Sequence, residues 1–378
     1  MSGDSQLSIS GLKRRRHLDG IRIFLFTAVY FCHFGLLQGN YLTKRMAEAL
    51  SYALPVFFVM SGYLITMLVL ADNRPNRWVV LKSFYIQRSL RIFPAYYVAL
   101  LALALLGWLT YPWHAAFYVY NLKLFFISLP PISETDMNYM LNWKQENLHL
   151  WSLSVEEQFY IFFPALFLFV KERLRLFLFA LLIGSAIVVR TWFILAFDAE
   201  FFPPTYGHLV FVTLEYFAWG GLFAYLQYRG YLVRWNANTH IYLSIFLAAG
   251  LIGWESYRSL LGPFGQAHPS HWQTLIAPIL GWFIWAFWKL EEDHHLARLF
   301  THRWLVFLGK TCYANYLVHI ACTLAIVGLY EQFPQIDFLP YYLLGYLFSV
   351  ATGTLLWYLV ERPANRFRAR LRASDNSS

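Results

Sequence analysis

Charge is what this sequence has least of. Only 13% of its 378 residues are Asp, Glu, Lys or Arg, about half the roughly 25% usual in soluble globular domains. Acids are the scarcer sign, 21 against 30 Lys and Arg, for a net charge of +9. Cysteine is nearly absent: Cys32, Cys312 and Cys322 all lie in apolar runs. Three such thiols make no disulfide framework and say little about redox compartment. A cleavable leader is not expected either, because the first apolar run lacks a small-residue cleavage site and is as long as a spanning helix. Nor do the two halves repeat one another, as the halves of many membrane transporters do.

What is present is apolar and aromatic. Hydrophobic residues make up 58% and aromatics 20%, with mean hydropathy +0.44. The 35 Phe, 26 Tyr and 15 Trp suit helices with interfacial belts and an aromatic-lined interior. The fold expected is all-α: a polytopic transmembrane bundle of about ten helices. Apolar runs separated by charged connections place the spans at approximately 21–38, 50–70, 92–109, 150–170, 176–196, 209–228, 240–257, 272–289, 304–329 and 341–360. With both termini cytoplasmic, all Lys and Arg but seven lie at or near cytoplasmic segments, as the positive-inside bias requires. The exceptions are Lys44, Arg45, Lys123, Lys144 and Arg258 outside, and Arg22 and Arg190 within spans. Pro112 to Ile127 is apolar enough to dip into the membrane, but a full span there would put KERLR outside, so it is expected to insert only partly. Residues 1–16 then form a basic cytoplasmic segment, 17–362 the transmembrane domain and 363–378 a basic tail. Positive charge parcelled this way argues against a nucleic-acid face.

The chain is organised around Leu18 to His33, LDGIRIFLFTAVYFCH. Arg22 and His33 are eleven residues apart, which at ~100° per residue puts both on nearly one helical face, roughly 16 Å apart. Ionisable groups at such depth usually face a cavity or a bundle interior and mark a functional path; a satisfied structural histidine is the plainer reading. A second feature is FYIQRSLRIFPAYY, where Arg88 and Arg91 are neighbours on one helical face. Two guanidiniums there can grip phosphates, or anchor the helix on anionic lipid. In the second run, Ser61 and Gly62 of VFFVMSGYLIT are small enough for close helix packing. In HLWSLSVEEQFYIFFP, Glu156 and Glu157 head an apolar helix and diverge by about 100°, so one is expected inward and one near the interface.

The second half carries fewer signals. Arg190 is expected to snorkel outward, and Glu215, flanked by apolar residues, to face inward. His319 lies in GKTCYANYLVHI and reads as structural. His294 and His295 adjoin Glu291, Glu292 and Asp293, but adjacent groups without helical ligand spacing are usually solvated, so no metal site is expected. Pro363 in WYLVERPANRFR is expected to stop the last helix, with Arg366, Arg368 and Arg370 anchoring it.

Taken together and in this order, LDGIR with its R-x10-H spacing, FFVMSGYLI, RSLRIFPAYY, HLWSLSVEEQFY, CYANYLVH and YLVERPANR resemble the acyltransferase 3 family of membrane-bound acyltransferases. They cover about residues 17 to 370. Ile21 and Ile23 around Arg22, and Thr311-Cys312, depart mildly from the family pattern. The resemblance implies about ten transmembrane helices and transfer of an acetyl or related acyl group from acyl-CoA, acetyl-CoA above all, to a hydroxyl. The acceptor would be a carbohydrate or lipid-linked glycan, and the setting the lipid bilayer, a bacterial inner membrane being expected. No nucleic acid partner, metal or permanently bound cofactor is implied.

The residues suit that chemistry. His33 titrates in the range needed to take a proton from a sugar hydroxyl as general base, with Glu156 or Asp19 as the expected orienter of the imidazole. Arg22, Arg88 and Arg91 supply cations for the donor's phosphates. No Ser or Cys stands beside a base at recognisable spacing, so direct transfer is favoured over a covalent intermediate. No appended hydrolase-like domain is expected after the tenth run, and the expectation is a single subunit acting on a lipid-linked or diffusible acceptor, with room for a separate acceptor-handling partner. A proton-coupled transporter of a small anionic or sugar substrate would also place His, Arg and Glu within spans, and is the alternative reading.

Overall fold

The computed structural model describes residues 15–38, 46–47, 49–128, 147–196, 206–258, 270–330 and 338–375. Among these, every regular element is helical. The apolar runs fold as α1 (Arg16–Gln38), α2 (Ala53–Leu70), α3 (Arg77–Leu105), α6 (Leu150–Phe169), α7 (Arg175–Ala196), α8 (Val210–Tyr228), α9 (Ala237–Arg258), α10 (Ser270–Lys289), α12 (Arg303–Tyr330) and α13 (Phe338–Leu356). Short α4 (Pro112–Ala116), α5 (Tyr120–Ile127) and α11 (His295–Phe300) connect them, and α14 (Arg362–Asp375) closes the chain. Each expected run therefore coincides with a helix.

Among the described residues, six stretches are long and apolar enough to cross a membrane: Ala49–Leu70, Arg77–Leu105, Glu172–Ala196, Ala237–Trp254, Arg303–Leu329 and Leu339–Leu371. Helices α1, α6, α8 and α10 are 23, 20, 19 and 20 residues long but less apolar. Their polar residues include Asp19, Arg22, Glu156, Glu157 and Glu215. At ~1.5 Å per residue, the five-residue α4 and eight-residue α5 are far short of a bilayer's roughly 30 Å core. Tyr118, between them, takes a positive φ of 54° and breaks the helix.

Two compact units form. The first comprises residues 1–81 and 156–306. Its centre is the crossing of α2 with α8, which two glycines make reciprocal. A Cβ at Gly62 would overlap the carbonyl oxygen of Phe217, and a Cβ at Gly220 would overlap that of Val59. Backbone thus meets backbone, the packing that small residues permit in apolar surroundings. Phenylalanines fill the rest: Phe217 stacks on Phe58 and Phe159 with centroids 4.8 and 4.3 Å apart, and Phe159 continues onto Phe163 at 4.7 Å.

Two expectations are corrected here. Arg190 does not snorkel outward. Its side chain is 2% exposed and meets Glu215, 0% exposed, at 2.5 Å, and it also donates to the Thr274 hydroxyl and the Val212 carbonyl. The reason is that Glu215, inward-facing as expected, offers a partner that a lipid-facing arginine would lack. Pro363 does not stop the last helix either. After one π turn, Trp357–Glu361, the helix continues as α14, and Pro363 lies within that unbroken helical stretch. The wider π turn resets the hydrogen-bond ladder ahead of it.

The second unit comprises residues 82–155 and 307–378. Here α12 and α13 run antiparallel: Phe307 meets Trp357 at 6.0 Å, and the Ser349 hydroxyl donates to the His319 carbonyl at 3.2 Å. Helix α3 joins through Tyr313, whose hydroxyl donates to the Ile92 carbonyl at 3.4 Å. It holds α4 through Tyr96, donating to the Ala115 carbonyl at 2.8 Å and stacked on Tyr118 at 4.3 Å.

The glycine crossing generates a stability prediction. Gly62→Val and Gly220→Val should each cost about 1–3 kcal/mol through overpacking, lowering the thermal midpoint of the detergent-purified protein. Gly184→Val, where a Cβ meets nothing within 4 Å, should leave it nearly unchanged. Equal midpoints for all three would show that the crossing does not limit stability.

Candidate active site

The first turns of α1 are clamped against the first unit. His17 is fully buried and its Nε2 lies 2.9 Å from the Phe287 carbonyl; a carbonyl only accepts, so Nε2 carries the hydrogen. Burial above all pushes this imidazole below the usual histidine range, against the raising pull of that hydrogen bond. His17 is therefore a neutral anchor. Gly20 of the LDGIR motif presses on α11, where a Cβ would overlap the Phe300 carbonyl oxygen, and Arg16 donates to the Thr301 carbonyl at 3.3 Å.

Held this way, the next turn presents an ion pair. Asp19 accepts from Arg22 at 3.4 Å, with side-chain exposures of 7% and 19%. The acid fixes the guanidinium while leaving part of it accessible. His33 follows on the same helix, half-buried, about 16 Å along the axis from Arg22. Asp19 lies fourteen residues before His33, about 21 Å along the helix, beyond the reach of a carboxylate. Its role is correspondingly that of partner to Arg22, not orienter of the imidazole.

Glu156 belongs to a cluster that the sequence did not announce. The Ser61 hydroxyl, at the middle of α2, and the Tyr160 hydroxyl, one turn along α6, both bond the Glu156 carboxylate, and the two hydroxyl oxygens lie 2.9 Å apart. Glu156 is half-buried and Glu157 buried, so neither acid is left at an open interface. The i,i+4 spacing of Glu156 and Tyr160 was a legible signal for one contact. Ser61, expected to serve packing, also contributes a hydroxyl, while Gly62 beside it makes the close contact.

Arg88 and Arg91 belong to the second unit, both half-buried on the continuous α3, one turn apart. The same unit brings together two histidines. His149 and His319, 2% and 1% exposed, lie with ring centroids 4.8 Å apart, edge to face. His149 Nε2 is 3.2 Å from the Leu317 carbonyl and His319 Nδ1 is 2.7 Å from that of Tyr316. Ser152 donates to the His149 carbonyl at 3.0 Å, and its oxygen lies 2.6 Å from the Tyr316 hydroxyl. The signal missed was two i,i+3 pairs: His149, in the turn that leads into α6, with Ser152, and Tyr316 with His319 on one face of α12. Among the described residues no group of three His, Cys, Asp or Glu could hold a metal ion.

Comparison with known proteins bears on this arrangement. The profile of the acyltransferase 3 family, described as an acyltransferase domain, matches residues 15–358. A Staphylococcus aureus (strain COL) protein named "Putative O-acetyltransferase" is 32% identical over 166 residues, covering 42% of this chain and 26% of its own. The peptidoglycan O-acetyltransferase OatA of Listeria monocytogenes is 29% identical over 190 residues, covering 46% of this chain and 28% of its own. The chain thus spans little more than a quarter of the length of these relatives. No solved structure matches it. With the family profile running from the clamped start of α1 through the end of α13, this chain belongs to the acyltransferase 3 family of membrane acyltransferases.

Proposed function

We propose that this chain is an integral membrane O-acyltransferase. It moves an acetyl or other short acyl group from acyl-CoA to a hydroxyl of a carbohydrate or lipid-linked glycan, in a bacterial cytoplasmic membrane with both termini inside. The observation that carries the reading is α1 itself. One helix holds a cation fixed by Asp19 at its basic end and an imidazole about 16 Å further on, and its start is clamped so that neither end can turn independently. The names of the S. aureus and Listeria relatives support acetyl as the group moved and a glycan as the acceptor.

A sugar hydroxyl is a weak nucleophile at neutral pH. In the proposed step its oxygen attacks the thioester carbonyl while its proton passes to His33. The carbon–oxygen bond forms, the carbon–sulfur bond breaks and the thiolate leaves. Arg22 supplies a cation for the donor's phosphates at the basic end of α1, and Arg88 and Arg91 are a further guanidinium pair suited to bidentate contact with phosphate. Glu156, held by Ser61 and Tyr160, is a fixed acceptor of hydrogen bonds within the apolar interior.

The reading has three consequences. His33→Ala should give a folded protein that binds acyl-CoA yet turns over about 10² to 10⁴ times more slowly, and His33→Gln, polar but unable to take a proton, should match it. Near-normal turnover of the Gln variant would make the imidazole structural. Replacing Arg88 or Arg91 with Ala should raise the apparent KM for acyl-CoA, with only partial rescue by Lys because the fork geometry is lost. Unchanged donor affinity in purified variants would assign the pair to lipid anchoring. Finally, reporter fusions at Ser374 and at Asp136, which lies outside the described residues, should read inside and outside respectively; an inside reading at Asp136 would overturn the topology.

A further inference from the structure

We propose that Arg175, at the start of α7, binds the phosphate of an anionic phospholipid headgroup. The site lies wholly within the first unit and is independent of how an acyl donor binds.

Its geometry is that of a cation held in place without a counter-ion. The Arg175 guanidinium lies over the Phe167 ring at 4.7 Å, a contact that orients it but takes none of its in-plane hydrogens. The side chain is half-buried, and its Nε is buried with no hydrogen-bond partner among the described residues. A second guanidinium, that of Arg77, acts on it electrostatically, as do Tyr225 and Tyr228. The acids on the adjoining connections are engaged elsewhere: Glu172 pairs with Arg229, and Asp72 with Arg74. A partly desolvated guanidinium beside a like charge, with no carboxylate of its own, is costly. An anion from outside the protein removes that cost. Phosphate suits the position because two of its oxygens match the guanidinium fork. Tyr225 spends its hydroxyl on the Glu172 carbonyl at 3.4 Å, which leaves Tyr228 as a further donor.

Depth identifies the source of the phosphate. Before Arg175, Lys171 and Arg173 are charged and exposed; after it, Phe177 and Leu181 are apolar and exposed. The exposed surface therefore changes character within about one turn of Arg175. Arg175 stands near the start of one membrane-length stretch, Glu172–Ala196, and Arg77 opens another, Arg77–Leu105. Next to Arg77, Trp78 is 68% exposed and packs on Phe169 at 4.6 Å, an aromatic pair of the kind found at headgroup level. Arg175 thus lies where lipid phosphates lie, whichever face of the membrane this end reaches. Lys171, Arg173 and Arg77 add positive charge around it, which disfavours the cation of a zwitterionic head and favours an anionic one such as phosphatidylglycerol.

Arg175→Gln is the test, with Arg173→Gln, which removes an exposed cation just ahead of α7, as its control. The full-length protein is purified in detergent, stripped of lipid and titrated with dioleoylphosphatidylglycerol or dioleoylphosphatidylcholine, and bound lipid is counted by native mass spectrometry. Wild-type protein should retain one phosphatidylglycerol per chain, about tenfold more tightly than phosphatidylcholine. Arg175→Gln should weaken that binding about tenfold, the scale of one charge-assisted hydrogen bond. Arg175→Lys should recover part of it, because the charge returns without the fork. Arg173→Gln should change it by less than about twofold. Equal losses in Arg173→Gln and Arg175→Gln would mean diffuse attraction without a site, and overturn the proposal. So would equal retention of the two lipids by the wild-type protein, an outcome that needs no variant to fold. Acetyl-CoA is added last. Displacement of the bound lipid by it, with Arg175→Gln weakening acetyl-CoA equally, would make this a site for a soluble phosphate and overturn the lipid assignment.

Discussion

The contact of backbone with backbone at the α2–α8 crossing is the constraint on which the first unit depends. Lipid offers helices no hydrophobic drive to associate, since tails are as apolar as leucine; close packing must supply it. Gly62 and Gly220 let each helix rest on the other's carbonyl. That approach fixes the rotation of both. On α2 it turns Ser61 toward Glu156 and Tyr160, and Tyr63 toward Gln227 of α8 at 2.6 Å. On α8 it places Glu215 where Arg190 of α7 reaches it.

Once rotations are set, the bilayer's second demand follows. A polar group within the hydrocarbon region is costly unless it finds a partner inside the protein. Arg190 with Glu215, the Ser61–Glu156–Tyr160 cluster and the edge-packed His149 and His319 all answer that demand, but to different ends. The Arg190–Glu215 pair is nearly sealed, at 2% and 0% exposure, and its additional bonds to Thr274 and Val212 make it a strut. Glu156 and Arg22 remain partly accessible.

Much of this was legible in the sequence, for a physical reason. Helix placement depends on runs of apolar residues, and the Arg22–His33 relation depends on the pitch of a single helix; both are local. So was the inward turn of Glu215, an isolated acid among apolar neighbours. Partners supplied by another helix were not. Arg190 reads alone as a snorkelling cation, because nothing in its own span offers an acid, and Ser61 reads alone as a small packing residue. Pro363 reads as a stop, because the π turn that accommodates it is a backbone adjustment that no side-chain pattern announces. Asp19, taken as an orienter of His33, fails on the same helical pitch that made the Arg22–His33 relation visible.

In the first unit, Arg22 and His33 are about 16 Å apart along one helix. A bilayer enzyme drawing a donor from one side and an acceptor from the other faces this requirement generally. The donor's phosphates are too costly to desolvate and must stay near the interface, while its reactive carbon must travel inward. A flexible arm carries the carbon, and rigid helices carry the groups that meet it. Helices are suited to the task because their rise per residue converts sequence separation into depth, and the clamped start of α1 fixes the point from which that depth is counted.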